Sequence, residues 1–380
     1  VCSSDLARII VTGCYAQMAP ETVLNLAAQR VFIIGNGNKH LLVDTALAER
    51  QSDLVMLMGQ IRCKTDICDL PVRHFSGRTR AWLRIQDGCN NFCSYCIVPF
   101  TRGRSRSLPL VSVLRQAEVF AGEGYREMVV TGINVGKYGL DLVEGETIYT
   151  LLERLCTDFP AIRLRLSSIE PTEVNDRLLG IAIGHANFMP HFHIPLQSGD
   201  DAVLARMNRR YSRDAFAAVI NQVHTVLPEA AIGCDVMGGF PGETDQEADN
   251  TFQLLADLPV SYLHVFPYSR RPGTLAAASP QQLPGPVKGA RVARLRTLGE
   301  DKRRAFQQRH LGRVNRVLVE RRNKKNGLLQ GFSENYIPLL FPGSADRLRK
   351  VVAVRLEELR DGRPFGCIVE ELLEEEDKSR

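Results

Sequence analysis

The sequence predicts an α/β protein whose largest part is a partial barrel of six β/α units. Between residues 79 and 305, apolar runs of strand length alternate with segments of helical periodicity. A shorter strand–helix–strand pattern precedes this region, and short strands separated by turns follow it. We therefore expect three consecutive parts: an α/β domain over 1–65, the barrel over 79–305 after a linker over 66–78, and a small all-β barrel over 313–372.

The N-terminal part is predicted to be a short parallel sheet. Residues 8–12 form an apolar strand, a helix is expected from about Pro20, and Val31–Ile34 is a second strand. Loops at the carboxyl ends of parallel strands commonly hold ligands, and Cys14 falls in such a loop. The alternative for this lone cysteine is a small buried hydrophobic side chain.

Residues 1–6 carry a separate expectation. They do not begin with Met, and they match the translation of a common sequencing adapter. We expect an artefact joined to a truncated gene, and therefore no function for Cys2.

The predicted barrel contains six strands with helices between them, and its chemistry is expected where strands end and loops begin. Each predicted strand is followed by a polar or glycine-rich cluster. The predicted strands are 81–86, 127–133, 162–169, 191–196, 231–237 and 262–267, and the predicted helices are 110–123, 148–158, 172–183, 213–226 and 244–256.

Three cysteines follow the first of these strands at C-x3-C-x2-C spacing, namely Cys89, Cys93 and Cys96. Thiolates suit iron–sulfur clusters, zinc or copper. A 4Fe–4S cluster normally takes four thiolates, so three would leave one iron open to a substrate or cofactor. A structural zinc would need a fourth Cys or His nearby, and the next thirty residues contain neither. The spacing favours the cluster, with zinc and unrelated core thiols as alternatives.

Two histidines in the fourth predicted strand, His191 and His193, share one face because side chains alternate along a strand. Metal ligation is one interpretation, and structural hydrogen bonding is the favoured one.

Composition and charge narrow the function classes. Hydrophobic residues make up 44% and charged residues 24% of the 380, and no apolar run reaches the length of a membrane span. Ten cysteines without a visible secretory signal argue against a disulfide framework and predict a cytoplasmic protein. Residues 302–325 hold ten Lys or Arg against one acidic residue. This is compatible with a polyanion such as RNA, although a solvated helix face is the alternative.

The motifs together resemble those of the radical S-adenosylmethionine (SAM) methylthiotransferase family, and the last domain is similar to a TRAM domain. Details at 84–89, 191–195 and 264–269 resemble the branch that acts on N6-threonylcarbamoyladenosine in tRNA. Other branches act on N6-isopentenyladenosine in tRNA or on a ribosomal protein aspartate. An alternative of another class is a non-catalytic, zinc-stabilised RNA-binding module. The motifs that carry the family resemblance lie at 12–17, 86–104, 193–199 and 240–244.

The resemblance implies a set of cofactors and partners. Cys89, Cys93 and Cys96 would hold a 4Fe–4S cluster whose open iron binds SAM. Cys14 matches one of three ligands of a second 4Fe–4S cluster, and the other two are expected before Val1. The reaction would be methylthiolation of C2 of the modified adenosine beside the anticodon, with an electron donor and a sulfur source as further partners and no membrane.

The resemblance also implies binding residues around this centre. The expected SAM contacts are Tyr95, Gly132, Asn134, Ser168, Glu170 and Gln197. The expected RNA contacts are Arg102, Arg104, Arg106, Arg313, Arg316, Arg321, Arg322, Lys324 and Lys325.

Overall fold

The computed structural model describes residues 9–26, 31–48, 55–68, 70–143 and 145–369. The predicted foreign segment 1–6, with Cys2, lies outside the described residues. The strands are β1 Ile9–Thr12, β2 Val31–Ile34, β3 Val55–Leu57, β4 Ala81–Arg84, β5 Gln86–Asp87, β6 Arg106–Ser107, β7 Glu127–Thr131, β8 Arg163–Leu166, β9 His191–His193, β10 Ala231–Gly238, β11 Tyr262–Pro267, β12 Val314–Arg322, β13 Leu329–Ser333, β14 Pro338–Phe341, β15 Val351–Arg360 and β16 Arg363–Ile368. The α-helices are α1 Cys14–Met18, α2 Pro20–Leu26, α3 Leu42–Leu47, α4 Val98–Arg102, α5 Leu110–Gly122, α6 Ile148–Asp158, α7 Asp176–Gly184, α8 Asp201–Arg206, α9 Arg213–Val226, α10 Asp245–Asp257, α11 Leu275–Ala278 and α12 Gly285–Gln308.

The N-terminal part is a three-stranded parallel sheet in the order β1-β2-β3. All four residues of β2 are buried, so this central strand carries the core. Strand β3 was not predicted, because a three-residue strand is too short to show periodicity. Cys14 opens helix α1 directly after Gly13, whose φ is 107°, and so it lies at a helix start rather than in the predicted loop.

The predicted six-stranded partial barrel is confirmed. It consists of two parallel halves, β4-β7-β8 and β9-β10-β11. Isolated parallel bridges from Leu164 to Phe188 and from Ser168 to His193 join the halves. Strands β4 and β11 are consequently the two edges of the barrel, and the carboxyl ends of its strands form one mouth.

Side chains alternate between two environments along the barrel strands. One set, which includes Leu83, Val130 and Leu164, packs under the surrounding helices in the largest apolar core. The residues between them, including Arg165 and Asp235, point to the barrel interior. The interior of this barrel is therefore polar, whereas its outer layer is apolar.

Some predicted boundaries differ from the observed ones for local reasons. The predicted helix 172–183 is a 3-10 turn followed by α7, because Asn175 caps α7 with its side chain on the Leu178 N–H. Helix α12 was not predicted, since its apolar face is narrow within a charged sequence. Its Val292 and Leu295 nevertheless lie in the barrel core, and its Gly299 packs on Leu263. No helix among the described residues combines the length and apolarity needed to cross a membrane.

The segment predicted as a linker, 66–78, packs on the barrel where it is described. The Gln116 side chain bonds both the N–H and the carbonyl of Val72. The Phe75 ring meets Trp82 edge-on at 5.4 Å. These contacts hold the segment against β4 and α5.

The C-terminal part is a closed five-stranded barrel in the order β12-β13-β14-β16-β15, which confirms the predicted small all-β barrel. Val317, Leu339 and Val354 are fully buried at its centre. An ion pair between Arg80 and Glu320, with hydrogen bonds from buried arginines to carbonyls of the small barrel, joins it to the amino ends of the large barrel's strands, opposite the mouth.

Glu127, at the start of β7, is the centre of this junction. Its carboxylate pairs with Arg165 at 2.7 Å and with Arg163 at 3.3 Å. Arg165 also donates to the Ser333 carbonyl in the small barrel. Burial raises the pKa of Glu127, but the two arginines outweigh it and the pKa is lowered overall. The carboxylate is therefore ionised and ties the two barrels together.

Replacing Glu127 by Gln should destabilise the protein, because two buried guanidinium groups lose their counter-charge. Breaking a buried ion pair costs roughly 3–5 kcal/mol. The matched control is Glu153→Gln, which breaks a partly exposed pair with Arg177 and should cost about 0–1 kcal/mol. The two variants are compared by the urea concentration at their unfolding midpoints. Equal midpoints would show that the junction does not depend on Glu127.

Candidate cluster site at the barrel mouth

The cysteine loop starts from a two-residue antiparallel pairing of β5 with β6 and ends at helix α4. Gly88 enters the loop at φ 75°, and a Cβ there would lie 1.9 Å from the Arg104 carbonyl oxygen. Only glycine fits so close an approach. The Cys89 N–H then donates to the Gly103 carbonyl at 3.2 Å. The loop is held at both ends before any cofactor binds.

Each sulfur of the triad receives a hydrogen bond. Backbone N–H groups of Asn91 and Val98 donate to Cys89 and Cys96, both at 3.4 Å. The Arg209 guanidinium donates to the Cys93 sulfur, also at 3.4 Å. All three cysteines are free and partly buried. Donors directed at sulfur stabilise thiolate charge and tune a cluster's potential.

The spacing of the triad fits a polynuclear centre better than a single zinc. Among the described residues, the three sulfurs do not all lie within 4.8 Å of one another. Zinc–thiolate bonds of about 2.3 Å would hold tetrahedral ligands about 3.8 Å apart. Burial raises the pKa of Cys89 and raises that of Cys96 to about 11, so these two thiols are protonated at neutral pH. Metal binding would replace those protons.

Gln86 connects the cysteine loop to the loop after β7. Its side-chain oxygen accepts from the N–H groups of Ile133 and Asn134 at 3.0 and 2.9 Å, and its amide nitrogen donates to the Gly88 carbonyl at 2.7 Å. A Cβ at Gly132 would lie 3.0 Å from this side chain. Asn134 and Gly132, both predicted cofactor residues, are thereby brought beside the triad. Sequence reasoning did not single out Gln86, although a glutamine between a strand and the cysteines was a usable signal.

Glu170, another predicted cofactor residue, reaches the triad through Arg209. Its carboxylate is ion-paired with the Arg209 guanidinium, which also donates to the Tyr211 hydroxyl at 3.0 Å. Burial raises the pKa of Glu170 overall, although Arg209 opposes this effect. Arg209 was missed because it lies far from the cysteines in sequence, in the turn after α8.

The other predicted cofactor residues have different surroundings. Tyr95 packs against an apolar group under β10 that includes Met207 and Phe240. The Ser168 hydroxyl is 2.6 Å from Nδ1 of His193. Gln197 has a left-handed φ of 67°, and its N–H donates to the Asp235 carbonyl. Tyr95 is thus partly a packing residue, while Ser168 and Gln197 lie beside β9 and β10.

Cys14 lies against the helix that follows the triad. The Asn36 amide donates to the Thr101 carbonyl at 2.8 Å and approaches the Cys14 sulfur at 3.8 Å. Burial raises the pKa of Cys14, but Thr101 and the charge of Arg102 outweigh it and lower the pKa overall. Arg102 in turn binds Asp87 at 3.2 Å. Helix α4 therefore links the lone cysteine to the triad.

The predicted RNA contacts divide by exposure. Arg104 is exposed, whereas Arg106 is only 5% exposed. The Arg106 guanidinium donates to the carbonyls of Arg102, Arg104 and Asp66 and so stabilises the loop rather than forming part of a surface. Arg102 is half-buried and paired with Asp87. The other six predicted contacts are exposed on or beside β12, namely Arg313, Arg316, Arg321, Arg322, Lys324 and Lys325.

A substitution at Gly88 should prevent cluster assembly. In Gly88→Ala the new methyl group would meet a backbone carbonyl and displace the loop. Gly124→Ala is the matched control, because its φ of 80° carries the same backbone cost of about 1–2 kcal/mol with no atom within 4 Å. Iron bound per chain after anaerobic reconstitution should fall in the first variant only. Full iron loading of Gly88→Ala would contradict the geometry described.

Comparison with known proteins places this geometry in a family. The Radical SAM superfamily model matches residues 83–255, and the TRAM domain model matches residues 308–369. In solved structures, a radical S-adenosylmethionine methyltransferase, TsrM, from Kitasatospora setae shares the fold with a TM-score of 0.55 at 14% identity, over 68% of this chain and 55% of that chain.

Relatives named for tRNA methylthiolation match most of the chain. A threonylcarbamoyladenosine tRNA methylthiotransferase MtaB from Bacillus subtilis is 35% identical over 94% of this chain and 80% of its own length. The Rickettsia prowazekii MtaB is 36% identical over 87% and 76%. A tRNA-2-methylthio-N(6)-dimethylallyladenosine synthase from Staphylococcus haemolyticus is 33% identical over 93% and 69%. With its cysteine triad and TRAM domain, the chain belongs to the radical SAM methylthiotransferase family, whose cofactors are SAM and a 4Fe–4S cluster.

Proposed function

We propose that this protein methylthiolates C2 of N6-threonylcarbamoyladenosine beside the anticodon of tRNA. Relatives named for this nucleoside and for dimethylallyladenosine have similar identities to the chain, so identity does not discriminate between them. The observation that carries the proposal is the charged interior of the barrel.

The interior presents ionisable groups on successive strands. His193 on β9, Asp235 on β10 and His264 on β11 share the strand face that alternates with the apolar core, whereas Arg165 on β8 is bound by Glu127 and the small barrel. Placing an apolar isopentenyl group against these polar side chains would remove water from them without adding a hydrogen-bond partner, which is costly. A threonylcarbamoyl group carries a carboxylate and a hydroxyl that can pair with such side chains. The interior therefore favours the threonylcarbamoyl substituent.

The residues at the mouth would each have a defined role. Cys89, Cys93 and Cys96 hold the cluster, and Arg209 orients Cys93 while balancing its charge. Bound cluster and SAM supply the radical chemistry needed to break an unactivated aromatic C–H bond. Gly132 and Asn134 lie where the methionine part of SAM can approach closely. The ribose or carboxylate of SAM would contact Ser168, Glu170 and Gln197, and its adenine would contact Tyr95.

Cys14 would provide one ligand of a second 4Fe–4S cluster. Its contact with α4 supports a position beside the triad, and its lowered pKa favours the thiolate that iron requires. An electron donor and a sulfur source complete the reaction. The target base must leave its stack to reach the mouth.

The product tests the substrate assignment. Nucleosides are analysed by mass spectrometry in tRNA from cells that lack their own methylthiotransferases and express the full-length protein, which includes the cysteines expected before Val1. We expect 2-methylthio-N6-threonylcarbamoyladenosine, and we expect none with Cys93→Ala, which removes a cluster ligand. Accumulation of the methylthiolated isopentenyl nucleoside instead would overturn the assignment.

Binding to tRNA should depend on the basic end of β12. Replacing Arg321 and Arg322 by Ala removes two exposed cations, so the affinity for tRNA should fall. The slope of log affinity against log salt concentration should become shallower by about 0.7–0.9 per lost phosphate contact. The control changes Arg360 and Arg363, exposed cations at the other end of the same barrel. Fluorescence anisotropy at several salt concentrations measures both variants. Equal losses in the two would indicate non-specific attraction.

A further inference from the structure

Three potential metal ligands converge inside the barrel, away from the cysteines. His193, Asp235 and His264 lie on the neighbouring strands β9, β10 and β11, and Asp235 is the direct register partner of His264. One ring nitrogen or carboxylate oxygen from each lies within 4.8 Å of the other two. The cluster and the RNA-binding surface do not use this group, which consists of the side chains proposed above to face the threonylcarbamoyl substituent.

The contacts within this His–Asp–His group leave one buried ring nitrogen without a hydrogen-bond partner. Nε2 of His193 lies 3.1 Å from an Asp235 oxygen, and Nδ1 of His264 lies 3.5 Å from the same oxygen. Although it is close to that oxygen, the buried Nε2 of His193 has no partner in hydrogen-bonding geometry. An ion placed between these atoms would satisfy all three together.

The surroundings orient the ligands as metal sites require. The Ser168 hydroxyl is 2.6 Å from Nδ1 of His193, so its oxygen can accept a hydrogen bond from Nδ1–H, and in that tautomer Nε2 keeps a free lone pair.

We propose that His193, Asp235 and His264 bind one divalent transition-metal ion of the zinc type. Bonds of about 2.0–2.1 Å to nitrogen and oxygen place tetrahedral ligands about 3.3 Å apart, and the observed separations of 3.1 and 3.5 Å bracket that value. Two imidazoles and one carboxylate leave at least one coordination position open.

The proposed site is accessible from the side of His264. The His264 side chain is 57% exposed on the edge strand β11, whereas that of His193 is 10% exposed. Water or a substrate oxygen would complete the coordination. A redox-inert ion such as zinc would not exchange electrons with the cluster, and its imidazole and carboxylate ligands differ from the soft thiolates that hold iron.

Zinc binding to the reconstituted full chain tests the proposal. With iron and sulfide already bound by cysteines, the protein is dialysed against Zn²⁺ and then against metal-free buffer, and zinc and iron are counted in the same sample. We expect about one zinc per chain beyond the iron. His264→Ala and Asp235→Asn should each lose that zinc or bind it at least tenfold more weakly, while iron is retained.

His74→Ala is the control, because His74 is exposed and lies outside the group. It should keep the zinc. Titration with Co²⁺ provides a second readout, since its visible absorption should show nitrogen and oxygen ligands and should disappear in His264→Ala. Absence of stoichiometric zinc, or equal binding by His264→Ala and His74→Ala, would overturn the proposal.

Discussion

One buried amide holds the chemistry of this protein in place. The Gln86 side chain bonds the backbone of the cysteine loop on one side and two consecutive N–H groups of the β7 loop on the other. Gln86 is 1% exposed, so these bonds form away from competing water. Without these bonds, Gln86 would not fix the triad relative to the loop that carries Gly132 and Asn134.

The second constraint acts at the opposite end of the barrel. Glu127 and its arginines join the amino ends of the strands to the small barrel. The Tyr336 ring of the small barrel stacks on the His191 ring, with 4.5 Å between the ring centroids, at the end of the barrel interior opposite the mouth. A tRNA bound to β12 would therefore lie at a fixed position relative to the mouth. This arrangement would allow one chain to combine the proposed RNA binding with chemistry at a single base.

Much of the fold could be predicted because it depends on periodicity. Strand β11 and helices α6 and α9 match their predicted bounds, and both barrels are confirmed. The triad was visible because its ligands are close in sequence. Arg209 and Gln86 were not found, since their roles depend on contacts that only the folded chain creates. Arg106 illustrates the same limit, because the sequence does not show that its charge is buried among backbone carbonyls.

The chemistry proposed at the mouth requires that Cys89, Cys93 and Cys96 hold a cluster with one iron open to SAM. Electron paramagnetic resonance of the reduced, reconstituted protein is the sharpest test of this requirement. We expect added SAM to change the cluster spectrum, because SAM becomes a ligand of the open iron. A spectrum unchanged by saturating SAM, or a protein that binds stoichiometric zinc at the triad and assembles no cluster, would show that the triad does not hold such a cluster.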